Sequence, residues 1–503
     1  MEKMGISFDN SYARDLPGFY VACAPAPAPA ARLIYFNQGL ADELGLDLAA
    51  CDPSALADLF SGNRLPEGAL PISQAYAGHQ FGHFVPQLGD GRALLIGEVL
   101  DRQGKRRDIA FKGSGRTPFS RRGDGKAALG PMLREVLIGE AMHALRIPTT
   151  RALAVVGTGE PVYRETVLPG AILTRVAASH LRVGTFEFFA ARGEQERVRQ
   201  LVDYAVARHY PELLEAEERP LEFLRAVARR QAALVAQWMG VGFIHGVMNT
   251  DNMSIAGETI DYGPCAFMEA YDPAAVFSSI DERGRYAYGN QPAIAQWNLA
   301  RLAETLLPLL AEDESQAIAR ASEVVEEFPR LYQRHWLQGM RAKLGLAATA
   351  ADGEESDTAL VEGWLALLEL NQVDFTLAWS RLADAAEGDS APLRKLFCNH
   401  AKLDAWLGGW RARCAAEDGG SEELGEASCA RARRMRAVNP WIIPRNHRVE
   451  EALAAASDDG NLEPFEQLLH ALDRPFEEQP GLAHYAEPAP AAFTGSYRTF
   501  CGT

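Results

Sequence analysis

The sequence predicts an α+β protein, and three observations carry that prediction. Between residues 78 and 176, short runs of strand length alternate with glycine turns. Beyond Gly184, apolar residues recur at helical spacing almost to the end of the chain. A polar, loop-forming stretch, Phe243 to Gly263, interrupts the helical part soon after it begins. At 503 residues the chain has room for two to four domain-sized units.

The first 31 residues read as an irregular arm ending in Pro25-Ala26-Pro27-Ala28-Pro29, a stiff extended linker. A strand over 33–36 and helices over 38–46 and 54–60 follow, expected to pack against the rest. The turn 88–92 contains Gly89, Gly91 and Arg92 and leads into a strand over 93–100. The Gln103-Gly104 turn returns the chain as a strand over 108–112. In that strand Ile109 and Phe111 face one side, and Ala110 and Lys112 the other. A helix over 131–145 opens with proline in its first turn and carries Glu135, a potential partner for Lys112.

Between strand and helix lies GSGRTPFSRRGDGKAALG, residues 113–130, with Asp124-Gly125 near its middle. Its three arginines, one lysine and five glycines suit it to wrap phosphates with backbone N–H groups and positive charge. A solvated basic loop is the plainer alternative. Strands over 152–156, 161–165 and 170–176 complete the sheet. The last carries Arg175, and Arg182 follows shortly after. At such a junction arginine serves equally as a phosphate clamp or as a salt bridge between two halves of the molecule.

The helix over 221–239 places Leu224, Val227, Gln231, Leu234, Val235 and Trp238 on one stripe and ends at Gly240 and Gly242. Further helices are expected over 292–310, 314–328, 331–344, 358–384, 393–416 and 449–472. Pro329 separates two of them or kinks one. The acidic breaks 351–357 and 417–428 read as exposed loops. Trp336, Trp364, Trp379, Trp406 and Trp410 read as core.

The stretch FIHGVMNTDNMSIAGETIDYG, residues 243–263, reads as an apolar entry, a polar loop and a hairpin. Strand 253–255 turns at 256–258 into a second strand that delivers Asp261. Such a hairpin brings Asn252 beside Asp261. An amide oxygen and a carboxylate are hard ligands that suit Mg²⁺ or Mn²⁺. Taken alone, the two residues also suit turn capping.

A net charge of −17 argues against general nucleic-acid binding, because phosphate backbones recruit basic faces. Basic residues cluster locally at 105–107 and 116–122, which fits a smaller polyanion such as a nucleotide. No apolar run approaches the roughly 20 residues of a membrane span, and no secretory h-region opens the chain. No membrane partner is expected. Seven cysteines without a CxxC pair argue against structural zinc and fit a cytoplasmic location.

Lys112 on its strand, Glu135 on its helix and the 243–263 loop followed by Asp261 resemble the protein-kinase fold. That resemblance implies a bilobal architecture with a large helical C-terminal extension. Residues 1–77 would be an arm with packing elements, 78–178 the N-lobe and 179–330 the C-lobe. Residues 331–503 would be the extension, with a redox-capable tail. One position departs: where a kinase has its catalytic Asp, two residues after the histidine, this chain has Val247, which cannot accept a proton.

Longer motifs narrow the resemblance. GHQFG at 78–82, KGSGRTPFSR at 112–121, HGVMNTDN at 245–252, DYGP at 261–264, and Asn439-Pro440 with Arg445 resemble the selenoprotein O family. The resemblance implies a kinase-like fold that transfers AMP from ATP to Ser, Thr or Tyr hydroxyls of protein substrates, with a link to redox homeostasis. It implies an ATP flipped relative to kinases, so that the α-phosphate faces the acceptor and Asp251 is the base. Asn252 and Asp261 then match Mg²⁺ ligands, with Mn²⁺ the other candidate. Gly89, Gly91, Arg92, Lys112, Asp124, Gly125, Arg175, Arg182 and Asp261 match nucleotide-binding positions, and Glu135 the partner of Lys112. Cys501 stands where many relatives carry selenocysteine, which suggests a regulatory disulfide, with Cys265 the candidate partner. Two other readings compete. Val247 argues against an atypical protein kinase. Intact Lys112, Asn252 and Asp261 argue against a non-catalytic nucleotide-binding scaffold.

Overall fold

Among the described residues twelve strands, most of them in the first third of the chain, set the frame for everything else. They are β1 (Tyr20–Ala22), β2 (Arg32–Phe36), β3 (Ile72–Gln74), β4 (Gly78–Gln80), β5 (His83–Val85) and β6 (Ala93–Leu100). There follow β7 (Arg106–Lys112), β8 (Ala127–Ala128), β9 (Arg151–Tyr163), β10 (Val167–Ala177), β11 (Phe243–Ile244) and β12 (Ala266–Phe267). The structure is a computed structural model and describes residues 6–347, 353–418 and 425–500. Cys501 and parts of the two acidic breaks lie outside the described residues.

The main sheet is antiparallel, in the order β1-β3-β6-β7-β10-β9-β2, with β8 pairing β10 at the side. Strand β7 is therefore central. Its alternation divides two environments, as the 2-residue period requires. Ile109 and Phe111 enter a core with Leu40, Leu56 and Phe60 from the helices Gln38–Glu43 and Pro53–Ser61. On the opposite face of the sheet, β9 and β10 pack on the helix Leu129–Ala144, whose Leu133, Val136 and Leu137 are buried in the second, larger core.

Three expectations about the sheet change. Residues 6–31 are not an irregular arm. They contain a helix, Ser11–Asp15, and the edge strand β1. Tyr12, Leu16 and Phe19 are buried in the large core, and the Tyr12 N–H donates to Glu98 at 2.6 Å. Burial of three large apolar groups outweighs the loop-like composition. The strands expected over 152–156 and 161–165 are one strand, β9. Gly157 does not break it because both β2 and β10 pair across that position. Residues 1–77 supply β1, β2 and β3, so they share one sheet with the strands that follow.

The remainder is helical, as the α+β prediction requires. The helices Arg219–Val241, Gln291–Leu310 and Glu314–Lys343 pack on one another, and the last runs through Pro329 without a break. The helix expected over 358–384 is two, Glu354–Asn371 and Phe375–Ala386. Gln372 adopts a left-handed φ of 52°, and the Asp374 side chain caps the new helix by accepting from the Leu377 N–H at 2.8 Å. Likewise 393–416 divides into Ala391–Arg394 and His400–Glu417, and 449–472 into Asn446–Asp458 and Glu463–Leu472. A helix at Glu426–Arg436 occupies part of the stretch expected as the exposed loop 417–428. Buried Arg431 anchors it to Glu417 and Asp418. Trp364, Trp379 and Trp410 are fully buried core residues. Among the described residues no helix is long and apolar enough to cross a membrane.

Candidate active site

A cavity of about 1420 Å³ lies between the sheet and the helical part. Every residue singled out in the sequence as a site candidate lines it. They reach it from six directions: the 88–92 turn, the end of β7, the 113–130 loop, the helix Leu129–Ala144, the stretch from Arg175 at the end of β10 to Arg182, and the 243–263 stretch.

Lys112 ends β7 on the face opposite Ile109 and Phe111. Its Nζ pairs with Glu135 of the helix Leu129–Ala144 and donates to Asp261 Oδ1 at 2.6 Å. Arg175 of β10 donates from Nη1 to the same Oδ1 at 2.8 Å. Burial alone would raise the Asp261 carboxyl, but Lys112, Arg175 and Arg182 outweigh it and hold it well below the usual carboxylate range. Both hydrogen-bonded cations meet one oxygen, which leaves Oδ2 for another partner. Asp261 sits at φ 64°, a left-handed conformation that an aspartate tolerates better than most residues.

The loop before it is held from several sides. The His245 ring lies 2.9 Å from the Ile260 carbonyl. Tyr286 donates to Asn249 Oδ1 at 2.7 Å, and Asn298 donates to the Met248 carbonyl at 3.0 Å. The Asn252 amide donates to the Val247 carbonyl at 3.0 Å, which turns its oxygen to the opposite side. The hairpin expected over 253–261 does not form a ladder. Ser254 bridges Arg182 and Thr259 bridges Thr149, so each arm pairs with a different segment around a turn at 254–257. Too few residues lie on either arm for a ladder of its own, and the neighbouring backbones at 148–150 and 181–183 satisfy those groups instead. Asn252 and Asp261 nonetheless both line the cavity.

Asp251 projects from this loop toward β4. Its Oδ1 is buried without a hydrogen-bond partner, and Gln80 approaches Oδ2 at 3.4 Å. Burial pushes its carboxyl up to about 6, against the pull of Arg182. A carboxylate held near neutrality is suited to take a proton at physiological pH. Val247 lines the same wall and has no group to do so.

Of the basic residues in the two clusters read as a polyanion site, only Arg121 and Arg122 of 116–122 line the cavity; Arg106 and Arg107 of 105–107 instead pair with Asp9 and Asp101, because their strand end faces those carboxylates. Arg92, Lys112, Arg121, Arg122, Lys126, Arg164, Arg175 and Arg182 all line the cavity. Arg182 meets Asp90 at 3.5 Å and stacks over the Tyr76 ring at 4.4 Å. Its Nε and the Arg92 Nη1 are buried without a partner in the protein, an unusual cost that a bound anion would relieve. A Cβ at Gly89 would lie 2.3 Å from the Phe119 ring, and one at Gly125 would lie 2.0 Å from the Gly115 carbonyl, so both turns need glycine. Asp124 is tied to Arg164 at 2.8 Å and accepts from the Lys126 N–H at 3.0 Å, so in this structure it organises the loop.

Four contributors were not assigned from sequence. Tyr76 and Asp90 hold Arg182. Gln80 approaches Asp251. Glu187 joins His79 Nδ1 and Thr250 Oγ1, each at 2.5 Å, and so pins β4 to the loop that carries Asp251. The GHQFG run was the only signal for Gln80 and for the His79 that Glu187 holds; Tyr76, Asp90 and Glu187 stand in no local pattern.

Among the described residues no cluster of three or more His, Cys, Asp or Glu is arranged to hold a metal. An Asn–Asp pair fits a cation that takes its remaining ligands from water and phosphate oxygens, the usual mode for Mg²⁺.

Comparison with known proteins gives the same direction. A family model described as protein adenylyltransferase SelO matches residues 2–473. Proteins named protein nucleotidyltransferase YdiU are similar over nearly the whole chain. That of Cereibacter sphaeroides (strain KD131 / KCTC 12085) is 62% identical over 501 residues, covering 99% of this chain and all of its own. That of Chromobacterium violaceum is 60% identical over 490 residues, 97% of this chain and all of its own. That of Rhizobium meliloti is 56% identical over 498 residues, 99% of each. The chain belongs to the SelO family of protein adenylyltransferases.

Proposed function

We propose that this chain transfers AMP from ATP to Ser, Thr or Tyr hydroxyls of protein substrates and releases pyrophosphate, with Asp251 as the general base. The observation that carries the reading is the pairing of an Asp251 carboxylate whose Oδ1 is buried without a partner with an apolar Val247 at the kinase base position. The triphosphate lies along Arg92, Lys112, Arg175 and Arg182, with its α-phosphorus toward Asp251. Asp251 accepts the hydroxyl proton as the oxygen attacks phosphorus, and the bond to the bridging oxygen of pyrophosphate breaks. Lys112, held by Glu135, and the arginines offset the charge that builds on the phosphate oxygens. Asn252 and Asp261 would hold a divalent cation, Mg²⁺ in our reading, which when bound adds charge neutralisation at the phosphates.

The test separates two roles. Asp251→Ala is expected to retain ATP binding while transfer falls at least 100-fold. Asp261→Ala is expected to abolish turnover. Full transfer activity in Asp251→Ala would overturn the assignment of the base.

A further inference from the structure

We propose that His180 is a positioning residue that aims Arg175 at the nucleotide through a buried Asp108–His180–Arg175 relay. This rests on the reading of Arg175 as a nucleotide-binding residue.

Arg175 Nε donates to His180 Nε2 at 3.3 Å. The other ring nitrogen, Nδ1, lies 2.8 Å from Asp108 Oδ2, and the His180 backbone N–H donates to that same oxygen at 2.9 Å. All three side chains are buried, at 3% relative exposure or less for Arg175 and Asp108 and 4% for His180. The chemistry of the partners fixes the ring. A carboxylate only accepts, so Nδ1 carries the hydrogen. A guanidinium only donates, so Nε2 carries the lone pair. His180 must therefore be neutral and in one tautomer. Burial favours the neutral form, and Arg175 and Arg182 add to it against the pull of Asp108.

The fold makes the relay from its own register. Asp108, Ala110 and Lys112 share one face of β7, and β10 sets Ala177 opposite Asp108 and Arg175 opposite Ala110. The chain then folds back just past β10, so that His180 fills the space between them. Behind Asp108, Arg208 donates to its other oxygen at 2.6 Å and also pairs with Glu98. The base of the relay is thus fixed in turn.

His180 does not line the cavity, whereas Arg175 does. Its effect is exerted through Arg175. Arg175 otherwise hydrogen-bonds Asp261, whose carboxylate a bound cation would also draw on, and lies 4.0 Å from Glu135. The hold from His180 is independent of that cation. It fixes the Nε edge, while Nη1 meets Asp261 and Nη2 is left for phosphate. A guanidinium fixed beforehand loses less freedom when ligand binds.

The experiment measures ATP affinity, with Mg²⁺ present, on the full chain. Arg175→Ala is measured first. If it leaves ATP affinity unchanged, the nucleotide reading of Arg175 fails, whatever His180 does. If it weakens binding, His180→Phe, which keeps the ring but removes both hydrogen-bonding atoms, is expected to weaken ATP about tenfold. His180→Gln offers an acceptor and a donor and is expected to recover most of that loss. The double variant with Arg175→Ala is expected to bind no worse than Arg175→Ala alone. Wild-type affinity in His180→Phe, or penalties that add in the double variant, would overturn the proposal. Should His180→Phe fail to fold, nitrogen NMR of the wild-type ring decides. Hydrogen on Nδ1 alone supports the relay; hydrogen on Nε2 contradicts it.

Discussion

Replacing Asp251 with asparagine is expected to destroy activity and stabilise the fold, and the structure gives the size of the second effect. Burial raises this carboxyl from an ordinary 3.8 to about 6. The sign follows from linkage. The folded state holds the proton more tightly than the unfolded state, so the native protein is relatively favoured below pH 4. That advantage is lost as pH rises through about 6, and above it the folded state carries a desolvated charge. A difference of about 2 units corresponds to about 3 kcal/mol. Because Asp251 is only half-buried as a residue, solvent trims this to about 2–3 kcal/mol. Asp251→Asn keeps the shape and removes the charge. With roughly 2 cal/mol/K of unfolding entropy per residue, the gain raises the melting temperature by about 2–3 °C for a chain of this length. Calorimetry in EDTA without nucleotide, at pH 8 and at pH 4, measures it. The gain is expected at pH 8 and should vanish near pH 4. An unchanged or lower melting temperature at pH 8 would refute the claim that Asp251 is held as a strained, desolvated base.

Three further outcomes are expected. Gly78→Ala places a Cβ 2.5 Å from Asp251 Oδ1, so transfer should fall at least tenfold while ATP affinity, measured by titration, changes little. Lys112→Ala leaves Glu135 buried without its lysine and removes one of the two cations on Asp261. ATP binding should weaken more than tenfold and denaturant melts should show a loss of about 3 kcal/mol. Trp364→Ala empties a site packed against Trp379, Trp406 and Phe397 and should cost about 3–5 kcal/mol in denaturant titration, with turnover per folded molecule unchanged.

Much of the site was legible because its chemistry is local. The strand that ends in Lys112 is read correctly from alternation alone. Asn252 and Asp261 were brought to one cavity by a turn the sequence signals, although the arms pair elsewhere. What was not legible is non-local. Tyr76, Asp90 and Glu187 act on Arg182 and on the 245–252 loop from far along the chain, and no spacing rule links them. Helix breaks at Gln372 and Gly460 were missed because one left-handed residue ends a helix without disturbing the apolar stripe on either side. The N-terminal arm was misread because its Pro25-Ala26-Pro27-Ala28-Pro29 run reads as a linker, whereas Tyr12, Leu16 and Phe19 decide its placement.

The central claim is that the α-phosphorus, not the γ, is attacked. The most direct measurement supplies the chain with a mixed protein substrate and ATP labelled at either phosphate, with Mg²⁺ present. Label retained on protein from α-labelled ATP, none from γ-labelled ATP, and free labelled pyrophosphate from the latter are the results this account predicts. Protein labelled from the γ position would contradict it and restore the kinase reading despite Val247.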